Sequence, residues 1–406
     1  MKPTDKRNVT LIIVVAALGY FVDIYDLILF SIVRVKSLKE LGVADGDLLD
    51  VGATILNSQM IGMLGGGLLW GILGDKKGRL SVLFGSIILY SLANIANGFV
   101  TDVTSYTIIR FIAGIGLAGE LGAGITLVTE NMSKEKRGYG TMIVAGVGLL
   151  GAVAAALIGD YYTWQTSYFI GGGMGLLLLF LRVGLVESGM FKEIKKTAHQ
   201  RGNIFMLFNN KERFKKYLAC IFIGLPLWFV VGVLITFSPE FGKALGATGI
   251  INAGEGVMYC YIGIAVGDIV AGILAQMLKS RKKVMLIFLL LTGVAILVYL
   301  NAQGLTPEKF IWLSLFLGFA SGYWATFVTI ASEQFGTNLR ATVTTTVPNF
   351  IRGSLVLITI SFQFFKGHVG ILQSALIVGF VCIIISLLAL SQLKETFNKD
   401  LDYTEV

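Results

Sequence analysis

Apolar stretches of about 20 residues, each long enough to cross a ~30 Å hydrocarbon core as a helix, recur along the whole chain with short polar breaks between them. Twelve spans are predicted, over 9–35, 50–74, 80–99, 103–130, 140–160, 165–185, 216–238, 254–278, 283–300, 309–332, 340–365 and 370–392. The longest polar interruption, "ESGMFKEIKKTAHQRGNIFMLFNNKERFKK", runs from Glu187 to Lys216 and divides the spans six and six. Its "IFMLF" stretch is expected to lie along the membrane surface. The pattern predicts an all-α membrane protein with a six-helix bundle over 1–186, a cytoplasmic linker over 187–215, a second six-helix bundle over 216–393 and a cytoplasmic tail over 394–406.

Composition agrees. Hydrophobic residues make up 55% of the 406 and charged residues 14%, with a mean hydropathy of +0.78, and a soluble chain of this size needs far more polar surface. The 50 glycines suit helices that pack closely in lipid. The net charge of +8 is a matter of placement. With both ends cytoplasmic, most of the Lys and Arg fall in cytoplasmic segments, and Arg110 and Arg352 alone are assigned to span interiors. This positive-inside bias sets the orientation and accounts for the basic clusters through topology and anionic lipid, with no role for nucleic acid. Cys220, Cys260 and Cys382 fall in three different spans and imply no disulfide framework.

An internal repeat supports two pseudo-symmetric halves. Gly71-Ile72-Leu73 recurs as Gly272-Ile273-Leu274, shifted by 201 residues, while Glu130 and Arg137 recur as Glu333 and Arg340, shifted by 203, with Gly119 falling on Gly322. Parallel repeats with a binding site at their interface are a common plan for secondary transporters. In the same register Glu120 falls on Tyr323 and Arg110 on Leu313, so the deep charges of span 4 belong to one half alone. Scaffold features are expected to repeat; asymmetric ones belong more often to the cargo.

An ionised side chain at a helix centre costs about 2.5–3.5 kcal/mol on insertion scales, so such residues face a cavity or a partner. Glu120 lies about 15 Å along the helix from Glu130, and Arg110 a further ~15 Å on. Glu120 is expected to carry a proton, and Arg110 to face the cavity as an anion ligand or snorkel outward. In "GYFVDIYDLILF", Asp23 and Asp26 share a helix face near mid-membrane, where two close carboxylates rarely both ionise. Asp268 sits centrally in span 8, and Arg352 lies about 18 Å past Arg340, one turn after Pro348. Glu120, Asp23, Asp26 and Asp268 are therefore candidates for proton coupling, and Arg110, Arg352, Tyr25 and Tyr323 for substrate binding. Gly114, Gly116 and Gly119 spell a dinucleotide fingerprint, but inside a span they read as close helix packing.

At this point the residues resemble a known family. "GILGDKKGR" (71–79) is similar to the loop 2–3 signature of the major facilitator superfamily, and "RFIAGIGLAGELGAGITLVTENMSKEKRG" (110–138) to the span-4 pattern of its proton-symporting branches for metabolites, aromatic acids, phosphate and sugars. The resemblance implies alternating access, with Asp75, Arg79, Glu130, Arg137, Glu187, Glu333 and Arg340 as a cytoplasmic gate of ion pairs. It also implies proton-coupling and substrate-binding roles for the acids and arginine matching Glu120, Asp23, Asp26 and Arg110. The chain departs from the pattern in places. Leu121-Gly122 follows Glu120 without the aromatic and proline of phosphate carriers, the second loop signature has Gln276 and Lys279, and "VESG" (186–189) has Gly for Pro.

The expected function is proton-coupled uptake of a small organic anion of the carboxylate type. An importer of an amino acid or osmolyte, or a proton-antiporting exporter, are the alternatives; span 5 lacks the Gly-Pro pair of drug antiporters. No HExxH, GxSxG or metal-spaced His/Cys set is present, and His199 and His368 are read as loop residues. No catalytic residue, metal site or cofactor is expected beyond a coupling proton. The expected setting is a bacterial inner membrane with both termini cytoplasmic, the chain acting as a monomer in the bilayer.

Overall fold

The computed structural model describes the backbone of residues 6–77, 79–120, 122, 124, 137–187, 204–397 and 403–405, and the side chains of most of these. No strand occurs among the described residues. The N-terminal half comprises α1 (Lys6–Glu40), α2 (Leu48–Lys77), α3 (Arg79–Asn97), α4 (Val103–Leu117), α5 (Arg137–Tyr161) and α6 (Trp164–Glu187). In the C-terminal half follow α7 (Lys211–Phe222), α8 (Leu225–Phe229), a π-helical segment Val230–Ile235, α9 (Ser238–Ala244), α10 (Ala253–Met277), α11 (Arg281–Leu300), α12 (Pro307–Ala320), α13 (Trp324–Glu333), α14 (Thr337–Val369) and α15 (Ile371–Gln392). Ten stretches among the described residues are long and apolar enough to cross a membrane, and the shorter apolar helices Ser81–Asn97 and Val103–Leu117 stand where spans 3 and 4 were predicted.

Three crossings are broken, each for a local reason. The seventh is pieced together from α7, α8, the π segment and α9, with Pro226 opening α8 where its missing N–H is no loss. In the π segment the Thr236 N–H reaches back five residues to the Val231 carbonyl at 3.2 Å. The fourth crossing turns at Ala118-Gly119 and the tenth at Ser321-Gly322-Tyr323, so the breaks fall in the register of the internal repeat. Helix α14, by contrast, runs through Pro348.

Glycine sets how closely the helices approach. A Cβ on Gly114 would stand 2.1 Å from the Gln59 carbonyl of α2, and one on Gly318 would stand 1.9 Å from the Cys260 carbonyl of α10. The Gly114-x-Gly116-x-x-Gly119 run is thus helix packing. The three cysteines are buried and free. The "IFMLF" stretch contains a 3₁₀ turn, Ile204–Leu207, in which Leu207 is buried while Phe208 packs against Phe214 and Tyr217 of α7. His368, read as a loop residue, lies in the last turn of α14.

Candidate substrate and proton site

Asp23 of α1 and Arg352 of α14 meet across the two halves, with carboxylate and guanidinium 3.6 Å apart and both side chains at most 1% exposed. The Arg352 guanidinium carbon lies 5.9 Å from the ring centres of both Trp228 of α8 and Trp324 of α13, within reach of cation–π attraction. Tyr20, one turn before Asp23, interacts with the Trp324 side chain. An arginine, an aspartate and an aromatic wall drawn from both halves therefore converge at one level of the bundle. Asn349, three residues before Arg352, donates to the Ala118 carbonyl at 2.8 Å. The break after α4 leaves that carbonyl free for the opposite half.

Asp26, three residues after Asp23, faces the interior of the N-terminal half instead. Gly171 of α6 makes room for it, since a Cβ there would stand 2.4 Å from Asp26 Oδ1. Arg110 donates to the Asp26 backbone carbonyl at 3.2 Å and to Asn94 Oδ1 at 3.3 Å, and lies 5.5 Å from the Tyr168 ring centre. It is fully buried and does not snorkel. Tyr25 spends its hydroxyl on the Ser167 carbonyl at 2.9 Å, which ties α1 to α6.

Glu120 is paired through both oxygens with Arg182 of α6, one of the contacts being 3.0 Å. The pair presses on α1 at Gly19, where a Cβ would stand 2.0 Å from Glu120 Oε1. In the C-terminal half Asp268 Oδ1 accepts the Ala325 N–H at 3.0 Å, capping α13 at the break in the tenth crossing. Tyr323, at that same break, is fully buried and packs edge-on against Phe288.

At the end of the molecule where α1 finishes, the halves are fastened together. Arg34 makes two hydrogen bonds of 2.7 Å to Glu240 of α9 and also donates to the Leu48 and Thr236 carbonyls. Thr236 reaches Ser31 at 2.9 Å, and Lys366 reaches Asp50 at 2.6 Å. At the opposite end Glu333 pairs with Arg281, and Arg340 donates to the Ser332 and Phe335 carbonyls. The side chains of Asp75, Arg79, Glu130, Arg137 and Glu187 lie outside the described residues.

One sequence expectation is corrected. Arg110 and Arg352 are not the sole basic residues within the spans, because Arg34 and Arg182 are also buried at 0% and 3% exposure. Hydropathy ends spans 1 and 6 at 35 and 185, but the helices run on to Glu40 and Glu187, which draws both arginines inward. Their acidic partners signalled poorly. Glu240 stands beyond the predicted end of span 7, and the pairing of Glu120 with Arg182 depends on tertiary packing.

The chain is a polytopic membrane transporter and not an enzyme. It belongs to the Major Facilitator Superfamily, whose model matches residues 16–354. It is 29% identical over 277 residues to the 3-(3-hydroxy-phenyl)propionate transporter of Escherichia coli (strain K12), covering 67% of this chain and 66% of that one. It is 30% identical over 174 residues to the niacin transporter NiaP of Acinetobacter baylyi, covering 42% of this chain and 38% of the relative. The solved structure of the proton:xylose symporter XylE bound to 6-bromo-6-deoxy-D-glucose superposes with a TM-score of 0.70 at 17% identity, over 98% of each chain. That likeness carries the twelve-helix, two-half fold.

Proposed function

We propose that this protein takes up a small organic anion, a monocarboxylate, together with a proton by alternating access. The observation that carries this reading is the ion pair between Asp23 and Arg352 across the halves. Isolated charges buried in low dielectric are costly, so the empty site holds one of each sign. An arriving carboxylate takes Arg352 as a charge-assisted partner, which would leave Asp23 as an uncompensated anion. A proton on Asp23 restores neutrality. Empty and loaded sites then carry the same net charge, as a carrier that rocks about a buried site requires. Trp228 and Trp324 flank Arg352 and suit the flat apolar body of an aromatic acid. Relatives named for niacin and for a phenylpropionate agree with that class.

With both termini cytoplasmic in a bacterial plasma membrane, the Arg34–Glu240 fastening closes the outer face. A zwitterionic cargo is the second reading, because Asp23 and Arg352 together match an ammonium and a carboxylate. Uptake of labelled benzoate, nicotinate and a panel of amino acids into proteoliposomes under an inward proton gradient tests both. The proposal expects accumulation of a monocarboxylate that is unchanged when the membrane potential is clamped. Accumulation driven by potential alone, or uptake of amino acids and no acid of the panel, overturns it.

A further inference from the structure

Asp23 faces the other half and Asp26 faces away from it, so two acids three residues apart open onto different surroundings. What lies behind Asp26 is a stripe of polar side chains on α3. Tyr90, Ser91, Asn94 and Asn97 fall at helical spacing, and all four are fully buried. A buried polar group normally finds a partner. Here the Tyr90 and Ser91 hydroxyls, Asn94 Nδ2 and both amide atoms of Asn97 have no partner among the described protein atoms. Unpartnered polar atoms aligned in a buried row are where ordered water is held. The packing makes room for them. A Cβ on Gly175 of α6 would stand 2.0 Å from Ser91 Oγ and 3.0 Å from Tyr90 Cε2.

Two acids stand beside the row, Asp26 near Asn94 and Glu120 near Tyr90. Arg110 links Asn94 to Asp26 by donating to Asn94 Oδ1 and to the Asp26 backbone carbonyl, and Tyr90 lies in the combined field of Glu120, Arg182, Asp26 and Asp23. Those are the charged groups facing Tyr90: Asp23 and Asp26 from α1, Glu120 from the segment after α4, and Arg182 from α6. Each acid of the row also has an arginine at hand, Arg110 for Asp26 and Arg182 for Glu120.

We propose that this stripe is a proton path inside the N-terminal half, in which Tyr90 relays a proton between Asp26 and Glu120, apart from the cargo route between the halves. The inference rests on the proton-coupled reading above and adds the route. Protonated Asp26 gives its proton into the row. The Tyr90 hydroxyl accepts one proton and passes its own to Glu120, ending neutral as it began. Glu120 loosens from Arg182 as it is protonated, and the Asp26 carboxylate is left beside Arg110. Charge is conserved, and each anion in turn has a guanidinium beside it.

The test compares Tyr90→Phe, which keeps the ring and removes one oxygen, with Tyr217→Phe in the other half as a control. Infrared spectroscopy of the purified protein, without cargo, follows hydrogen–deuterium exchange at the carboxyl bands assigned through Asp26→Asn and Glu120→Gln. The relay predicts exchange slowed by about a hundredfold in Tyr90→Phe, the lower end of what a positioned proton-transfer group contributes, with the control at the wild-type rate. Exchange at the wild-type rate in Tyr90→Phe overturns it. In proteoliposomes the relay predicts that Tyr90→Phe still exchanges labelled benzoate at equilibrium but no longer accumulates it. Equal loss of both, with infrared exchange unchanged, assigns Tyr90 to packing. If wild type fails to accumulate benzoate or nicotinate, the function proposed above falls while the infrared result still decides the relay. Should Tyr90→Phe not fold, Ser91→Ala with Asn94→Leu interrupts the same row.

Discussion

The two halves break a helix at matching places and use the break differently. In the N-terminal half the turn after α4 presents a carbonyl, Ala118, which Asn349 of the opposite half takes. In the C-terminal half the turn before α13 presents an N–H, Ala325, which Asp268 of the same half takes. The buried charges divide as unevenly. Asp23, Asp26, Glu120, Arg34, Arg110 and Arg182 lie in the first half, whereas Arg213, near the start of α7, and Arg352 with its two tryptophans lie in the second. The repeat supplies a scaffold that can rock; the chemistry was laid onto it once. In the function proposed above, the first half would handle the proton and the second would hold the cargo.

The sharpest way to break that division is at the Asp23–Arg352 pair that spans it. Arg352→Gln is expected to lower kcat/KM for uptake by about a thousandfold, the ~4 kcal/mol scale of a buried ion pair that loses one partner. Asp23→Asn is expected to leave cargo exchange in place and abolish accumulation against a gradient. Initial rates and plateau levels in proteoliposomes separate the two. If Asp23→Asn accumulates cargo normally, the proton is not carried at this pair.

Within the first half the Glu120–Arg182 pair supplies the next largest effect. Either Glu120→Gln or Arg182→Gln leaves a buried charge alone and is expected to cost about 3–5 kcal/mol of stability, while the double replacement recovers much of it. Thermal unfolding of the purified variants in one detergent measures all three. Additive losses would mean that the two residues do not act as a unit.

The fold was readable because lipid leaves so little choice. In lipid the backbone polar groups are satisfied chiefly within helices, and elsewhere only where protein buries them, so twelve apolar stretches mean twelve helical crossings, and the repeat divides them. The site was readable in its members more than in its connections. Asp23, Asp26, Glu120, Arg110 and Arg352 stand out as charges in apolar runs, but which acid meets which base depends on helix rotation and tilt. Glu120 and Arg110, ten residues apart on one crossing, were natural to consider together, yet each is held by a different helix. Trp228, Trp324 and Tyr90 gave no signal at all, since an aromatic residue in a span is usually packing.

Closure of the far end sharpens the comparison further, because there the halves contribute equally. Arg34→Ala or Glu240→Ala removes the fastening between α1 and α9. Glu240 keeps 19% exposure, so water softens the loss, and a coupling energy of about 1–3 kcal/mol is expected from the double-mutant cycle. A cysteine placed at Ser31 becomes more reactive to an impermeant maleimide in the Arg34→Ala background. Unchanged reactivity would mean that the apolar packing around it closes this face without the ion pair.

The smallest effect lies at the other end of the C-terminal half, where Glu395 caps α11. Partial burial works against its charge, but the Ser280 hydroxyl and the backbone N–H groups of Phe397, Arg281 and Lys282 outweigh it and bring the carboxyl from its ordinary 4.5 down to about 2. A depressed pKa contributes stability that is fully present above the ordinary value and is lost as pH falls toward the depressed one. Solvent screening at this end of the helix reduces that contribution to about 1 kcal/mol. Glu395→Gln should therefore melt a few degrees below wild type at pH 7, with the gap closing steadily as the pH is lowered from about 4.5 toward 2. The capping geometry makes the sign specific: the amide still accepts from Ser280 but carries no charge to set against the helix N-terminus. A gap that stays constant across that range would mean that Glu395 acts through packing and hydrogen bonding alone.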